Sequence, residues 1–581
     1  MQAPVHRQRG ITLLETVVGA ALMLVVFMGI AAAFKLSVDV LTNNKARAGA
    51  IALVNERIEY IRSLTYAQLG TAGGIPSGSL AQTESVALNG VSYTRRTLIE
   101  YVDDPGDGVG AADSNHITED YKVAKVDVSW SSRTGVRHII LVTRVSPTSG
   151  VETACTTACG TLAITIVNAA AQAVSSAQVH VVNTTTNPAI DVTTYTDING
   201  LVNLVGAPAA SNYQITVSKT GYSSDQTYNS SGQNPNPTPG PLTVSGNLTT
   251  SATFRIDLLS MKNIYTLTQV LAGTWNETFA DSTKIASSTN IDVAGGSAEL
   301  TGPSGSYPSY GELQSITIGP SSLARWKTLT LVHAKPAQTN ITYHLYEGTG
   351  STLIPDAQVY GNSTGLATSS SVVDLSNIST STYPSVRLDA TFSSSDPTAT
   401  PSVDSYAIAY DYGPIPLPNI ALTMQGVKTI GSGPPAVYKY LADLNSGATA
   451  SVILSNIEWD TYTVAVPSAS GYDIASSCNP QPEYLAPGTT ASTYLYLAAH
   501  TANSLLVDVS SGGVYLPNAS VSLWKSGTAT TTQAADGCAQ AFFGGLTAST
   551  YWVQVAALGH ATSTNGNVNV SGTSRVSVTL N

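Results

Sequence analysis

Arg9-Gly10-Ile11-Thr12-Leu13-Leu14-Glu15 opens an apolar run that carries no charge from Thr16 to Phe34. At about 1.5 Å of helical rise per residue the run nearly crosses a bilayer core of about 30 Å, so a membrane span is expected at about residues 14–36. Arg7 and Arg9 precede it. A secretory signal would set small residues at a cleavage site behind a short apolar core and would not place a carboxylate at its front. Here the acid, Glu15, stands five residues after a glycine.

The string resembles the class III signal of type IV prepilins. The resemblance implies a leader over residues 1–10, cut by a prepilin peptidase between Gly10 and Ile11, and methylation of the new Ile11 amine. It also implies that Glu15 meets the Ile11 amine of a neighbouring subunit, which suits the cost of an unpaired carboxylate in hydrocarbon. An acid that favours the dipole at a helix N-terminus is compatible with the same position. Ile11 replaces the usual phenylalanine, and Ala31-Ala32-Ala33 stands where many major pilins bend at a proline. Both departures point to a minor pilin or a type II secretion pseudopilin.

Beyond the span, Ile51, Val54, Ile58 and Ile61 recur at spacings of three and four, with Asn55, Glu56, Arg57, Glu59 and Arg62 on the other faces. This pattern predicts one helix from Ile11 to about Leu64. Residues 91–101, 121–131 and 136–145 read as strands, the last two joined by Arg133-Thr134-Gly135. A helix followed by an antiparallel meander is the pilin head arrangement, and the resemblance extends it over residues 11–150. Asp103, Asp104, Asp107 and Asp113 sit there among glycines and a proline. They can offer oxygens to a Ca²⁺, but their spacing is not that of an EF-hand loop, and the same residue types build any tight turn.

A chain of 581 residues is too long for one core. Only 11% of it is charged, as in secreted β-proteins with neutral polar surfaces. Residues 1–150 carry a net charge of +1 and the remainder −12; with no basic stripe, nucleic acid is not an expected partner. The cysteines match no zinc spacing. Cys155 and Cys159 enclose three residues and suit a local disulfide, while Cys478 and Cys538 can cross-link the last two units in an oxidising compartment.

Three later stretches look like copies of one unit. Each opens on an alternating strand (Leu162-Ile164-Ile166, Ile420-Leu422-Met424, Leu505-Val507-Val509), continues with a strand at Ala177, Ala436 or Ala519, and closes on Tyr213-x-Ile215-x-Val217, Tyr462-x-Val464-x-Val466 or Tyr551-x-Val553-x-Val555 before Gly221-Tyr222, Gly471-Tyr472 or Gly559-His560. Period-2 alternation of this kind requires half-buried strands. The copies resemble carboxypeptidase regulatory-like (transthyretin-like) β-sandwiches, which implies spacers or binding platforms. Units are expected at 160–257, 418–498 and 503–581. Residues 262–413 look like a jelly-roll-like sandwich, with Trp326 as core or as a sugar platform. Asn234-Pro235-Asn236-Pro237-Thr238-Pro239-Gly240-Pro241 reads as a stiff extended loop or linker.

The expected fold class is therefore an α+β pilin-like N-terminal domain, a long hydrophobic helix plus an antiparallel sheet, followed by several all-β sandwich domains. Gly361-Asn362-Ser363-Thr364-Gly365 fits G-x-S-x-G without a convincing helix after it, and there is no H-E-x-x-H, P-loop or dinucleotide fingerprint, so no enzyme is expected. No cofactor is expected beyond the calcium option. Asn-x-Ser/Thr triplets at Asn183, Asn247, Asn276, Asn340 and Asn518 are formal glycan acceptors. The expected partners are the prepilin peptidase, other pilin or pseudopilin subunits, the membrane, and an extracellular protein or glycan. The expected location is the cytoplasmic or inner membrane through the helix, with the rest outside.

Overall fold

The computed structural model describes residues 13–108, 114, 117–133, 135–147, 158–293, 295–303, 305–366, 372–433, 435–479 and 481–581, together with the backbone but not the side chain of Glu15. Helix α1 spans Leu13–Ser63. Strands β1 (Thr83–Leu88), β2 (Val91–Val102), β3 (Tyr121–Ser132) and β4 (Gly135–Val145) follow as an antiparallel meander in the order β1-β2-β3-β4. The C-terminal half of α1 packs on this sheet through Ala46, Ala50, Leu53, Val54, Ile58 and Ile61, against Tyr93, Ile99, Ala124, Val126, Val128 and Trp130. Ile51, expected on this stripe, is 41% exposed. Alanines take its place because the helix lies close to the sheet. The Tyr93 hydroxyl donates to the Ala46 carbonyl at 2.8 Å, and a Cβ on Gly49 would meet that hydroxyl.

Three β-sandwiches follow, and each closes by pairing its first strand with its last in parallel. Cys159–Val167 pairs with Thr249–Arg255, Ser260–Thr268 with Thr490–Ala499, and Ser504–Ser511 with Thr573–Leu580. The opposite edge of each first strand takes an antiparallel partner, namely Leu201–Pro208, Ser451–Ile457 or Gln540–Phe543. The facing sheet is built around Gln178–Asn183, Ala421–Gly426 or Ser520–Lys525, each held between two antiparallel neighbours.

This register corrects the expected second copy. Ile420-Leu422-Met424 belongs to its second strand, and the first strand is Ser260–Thr268, far upstream. Val437–Tyr438, expected as the second strand, forms a short ribbon with Thr429–Gly431. The expected boundary at 262 thus falls inside a strand of the second sandwich. The unit expected to be jelly-roll-like, from Leu271–Glu277 to Ser402–Tyr412, is inserted between that sandwich's first and second strands. The alternation of Ile420, Leu422 and Met424 is that of any core strand, whereas Lys262 interrupts it in the true first strand. The insert has two sheets packed around a core that includes Trp326, Tyr343 and Phe392. Trp326 is fully buried and donates from Nε1 to the Tyr383 carbonyl at 3.0 Å, which makes it core and not a sugar platform.

The repeated closing motif has one geometry in all three copies. The buried hydroxyls of Tyr213, Tyr462 and Tyr551 donate to the carbonyls of Pro208, Glu458 and Thr547, at 2.6, 2.7 and 3.2 Å. Such a tyrosine corner pins the turn that enters its own strand. Gly221, Gly471 and Gly559 then adopt φ of 80°, 80° and 82°, a left-handed conformation that explains the glycine in each copy. Replacing Tyr462 with Phe should lower the stability of the second sandwich by about 1 kcal/mol, read as a shift of its unfolding transition, because a buried carbonyl loses its donor.

Candidate functional site

Every described side chain of α1 from Leu13 to Val38 is exposed, including Leu22, Met23, Phe27, Ile30 and Phe34. The helix is long and apolar enough to cross a membrane, with a mean hydropathy of 2.6 over its most apolar window. One rigid element thus joins a bare apolar half to a half packed on the head sheet. Gly10 and Ile11 lie outside the described residues; Glu15 is in the first turns of α1.

The head sheet turns its other face to the first sandwich. Ile75, from the loop after α1, is buried within that sandwich's core. The Gln82 side chain accepts from the Thr193 amide and donates to the carbonyls of Ala72 and Asp191, and the Asp191 amide donates to the Gly73 carbonyl. Between the two lies a cleft of about 660 Å³ lined by Arg96, Glu100, Lys125, Asp127, Tyr195 and several threonines. The Arg96 guanidinium sits 4.3 Å above the Tyr195 ring. Burial pushes the Glu100 carboxyl upward, opposed by Lys125 and by a hydrogen bond from Thr194. The cleft mixes both charge signs with hydroxyls and an aromatic face, chemistry suited to a small polar ligand.

Lys122 is 2% exposed and fastens the start of that loop: its Nζ donates to the carbonyls of Tyr66 and Leu69 at 2.9 and 2.7 Å. Its ammonium lies 4.6 Å from the Tyr66 ring and 5.1 Å from the Tyr101 ring. Burial lowers its pKa to about 8. Nothing in the sequence pattern marks this lysine, which looks like any polar residue at the start of a strand.

The remaining candidates resolve as follows. The Asp104 carboxylate accepts from the Gly106 amide at 3.1 Å, so it closes its own turn. Asp103 and Asp107 lie beside it, and Asp113 lies outside the described residues. Among the described residues no group of three or more His, Cys, Asp and Glu is placed to hold a metal ion. Cys478 and Cys538 form a disulfide between the second and third sandwiches. Arg575 supports that junction by bonding both oxygens of Asp508 and the Gln481 carbonyl. Cys159 is also disulfide-bonded, and Cys155 lies outside the described residues.

The proline-rich stretch is a docking loop rather than a free linker. The Asn234 side chain and the Thr238 amide both donate to the Ile430 carbonyl of the second sandwich, each at 2.9 Å. Gly361–Gly365 folds as a 3₁₀ turn on the buried Asn362, and Ser363 donates to Asp356. The Asn183 side chain is buried and donates to the Ser211 carbonyl, which removes it as a glycan acceptor in the folded chain.

No family model matches the chain, and no curated protein matches its sequence. Among solved structures, the chain is similar to the Bacillus anthracis TIE protein at 10% identity, covering 86% of this chain and 74% of that one with a TM-score of 0.15. It is similar to BcpA, the major pilin subunit of Bacillus cereus, at 9% identity over 73% and 99%, with a TM-score of 0.13. For the RrgB pilus protein of Streptococcus pneumoniae the values are 10%, 72%, 94% and 0.12. At TM-scores this low, none of these likenesses carries a conclusion about the fold or role of this chain.

Lys122 yields a pH prediction. Its folded pKa of about 8 lies below the ordinary 10.5, so between those values the unfolded chain binds more protons. The unfolding free energy must therefore rise with pH there, by at most about 1.4 kcal/mol per unit from this group. Melts at pH 7.5 and 9.5 should show the native head gaining stability relative to a Lys122→Met variant as pH rises.

Proposed function

We propose that this chain is a minor type IV pilin-like subunit that enters a membrane, and then a filament, through α1 and displays its β-sandwiches for surface adhesion or interaction. The observation that carries the reading is the continuity of α1. An apolar half of this size is stable only when lipid or other apolar helices cover it, and the half that follows is fixed to a sheet. Gly10, Ile11 and Glu15 give that helix a processing site and a charge to pair. The chain works by assembly and display, without catalysis and without a resident cofactor. Its partners are the prepilin peptidase, sister subunits and an extracellular protein or glycan. The cleft between the head and the first sandwich favours a small polar ligand as the displayed interaction.

Such bulk on every subunit would crowd a helical filament, so a sparse or tip position suits this chain. Mass spectrometry of the membrane-extracted protein should find a chain that starts at N-methylated Ile11. A retained Met1, or a cut elsewhere than after Gly10, overturns the prepilin reading. Correct processing with no recovery in sheared filaments or a secretion pseudopilus selects a membrane-tethered binding protein instead. Glu15→Leu should leave processing and membrane insertion intact while cutting filament incorporation about tenfold or more, as expected when one partner of a buried charge pair is removed.

A further inference from the structure

The three sandwiches allow a position-by-position comparison within one chain. Beside the second residue of the last strand, the first strand places Leu162, Lys262 or Leu505. Opposite the corner tyrosine stand Leu242, Glu483 and Val568. Where its sisters hold an apolar pair, the second sandwich therefore holds a lysine and a glutamate. Lys262 is 1% exposed, and its Nζ contacts Glu483 Oε2. The same carboxylate accepts from Thr493 Oγ1 at 2.5 Å and, through Oε1, from Asn479 Nδ2 at 3.2 Å. The Asn479 amide also donates to the Ser492 carbonyl at 2.7 Å.

An ion pair this deeply buried adds little over the apolar pair it replaces, because desolvation offsets the attraction. It does, however, bring an amine, a carboxylate and a carboxamide together. Burial lowers the pKa of the Lys262 amine against the opposing pull of Glu483, and the neutral amine is the nucleophilic form.

We propose that Lys262 Nζ and the side-chain carbonyl carbon of Asn479 join in an intramolecular amide bond, with Glu483 carrying the protons. Glu483 takes a proton from the Lys262 ammonium, and the freed lone pair attacks the Asn479 carbonyl carbon. The protonated Glu483 supports the tetrahedral oxygen, then passes its proton to the departing amide nitrogen. The carbon–nitrogen bond of the Asn479 carboxamide breaks, and Glu483 passes the second proton of the former amine to the departing ammonia, which leaves as ammonium and restores the Glu483 carboxylate. One amide replaces another with no oxidation or reduction. The bond would tie the first strand of the second sandwich to the segment before Glu483, enclosing the whole inserted unit in a covalent loop.

The test is the intact mass of the full chain after reduction and alkylation. It should lie one ammonia, about 17 Da, below the processed sequence, and fragmentation should yield a peptide linking Lys262 to Asn479. An unshifted mass leaves an ordinary ion pair and overturns the proposal. A loss of about 18 Da mapped to Lys262 and Glu483 means direct condensation and overturns the part assigned to Asn479. Glu483→Gln should fold and show the full mass; retention of the mass loss removes Glu483 from the reaction. Lys262→Leu, which copies the sister sandwiches, should fold without the mass loss.

Discussion

The parallel pairing of first strand with last governs how this chain is built. Two strands that run the same way side by side put the entrance of a sandwich at one end and its exit at the other. Three units closed in this way continue one another, whereas antiparallel closure would bring each entrance back beside its exit. The connections can then be short: Arg255 ends one sandwich and Ser260 begins the next. Junctions this short force neighbouring units into contact, and the contacts are specific. Asn234 of the first sandwich reaches the second, and Cys478 of the second bonds to Cys538 in the third.

The same closure explains where an extra unit fits. The first strand of a sandwich pairs with distant parts of the chain and needs only to remain in register, so the chain can leave after Thr268 and return at Ala421. Loop-closure cost grows slowly with length, so even a whole domain is tolerated there. The insert folds around its own core, and the host keeps the parallel pairing of first strand with last that its two sister units show, while Tyr472–Ser477 adds an antiparallel neighbour to its last strand.

The sequence was legible where side-chain chemistry and backbone geometry coincide. The endings Tyr-x-Ile-x-Val and Tyr-x-Val-x-Val mark the corner tyrosines, and Gly221, Gly471 and Gly559 mark the left-handed residues, because few other residues serve there. The lower half of α1 was legible in outline, but Ala46 and Ala50 take the contacts that apolar bulk would assign to Ile51. The origin of the second sandwich was hidden because pairing between residues far apart leaves no local periodicity, and Lys262 broke the only pattern that could have revealed it. Lys122 was equally silent: its role depends on carbonyls of a loop more than fifty residues earlier.

The inserted unit hangs from its host at two adjacent points and so stands beside the line along which the chain is strung. If the helix is held and the far end is pulled, the load enters each sandwich on its first strand and leaves on its last. These strands run side by side in the same sense, so their hydrogen bonds resist sliding together instead of peeling one after another. The insert lies off that path, so a pull that strains the sandwiches in turn would leave its surface undeformed.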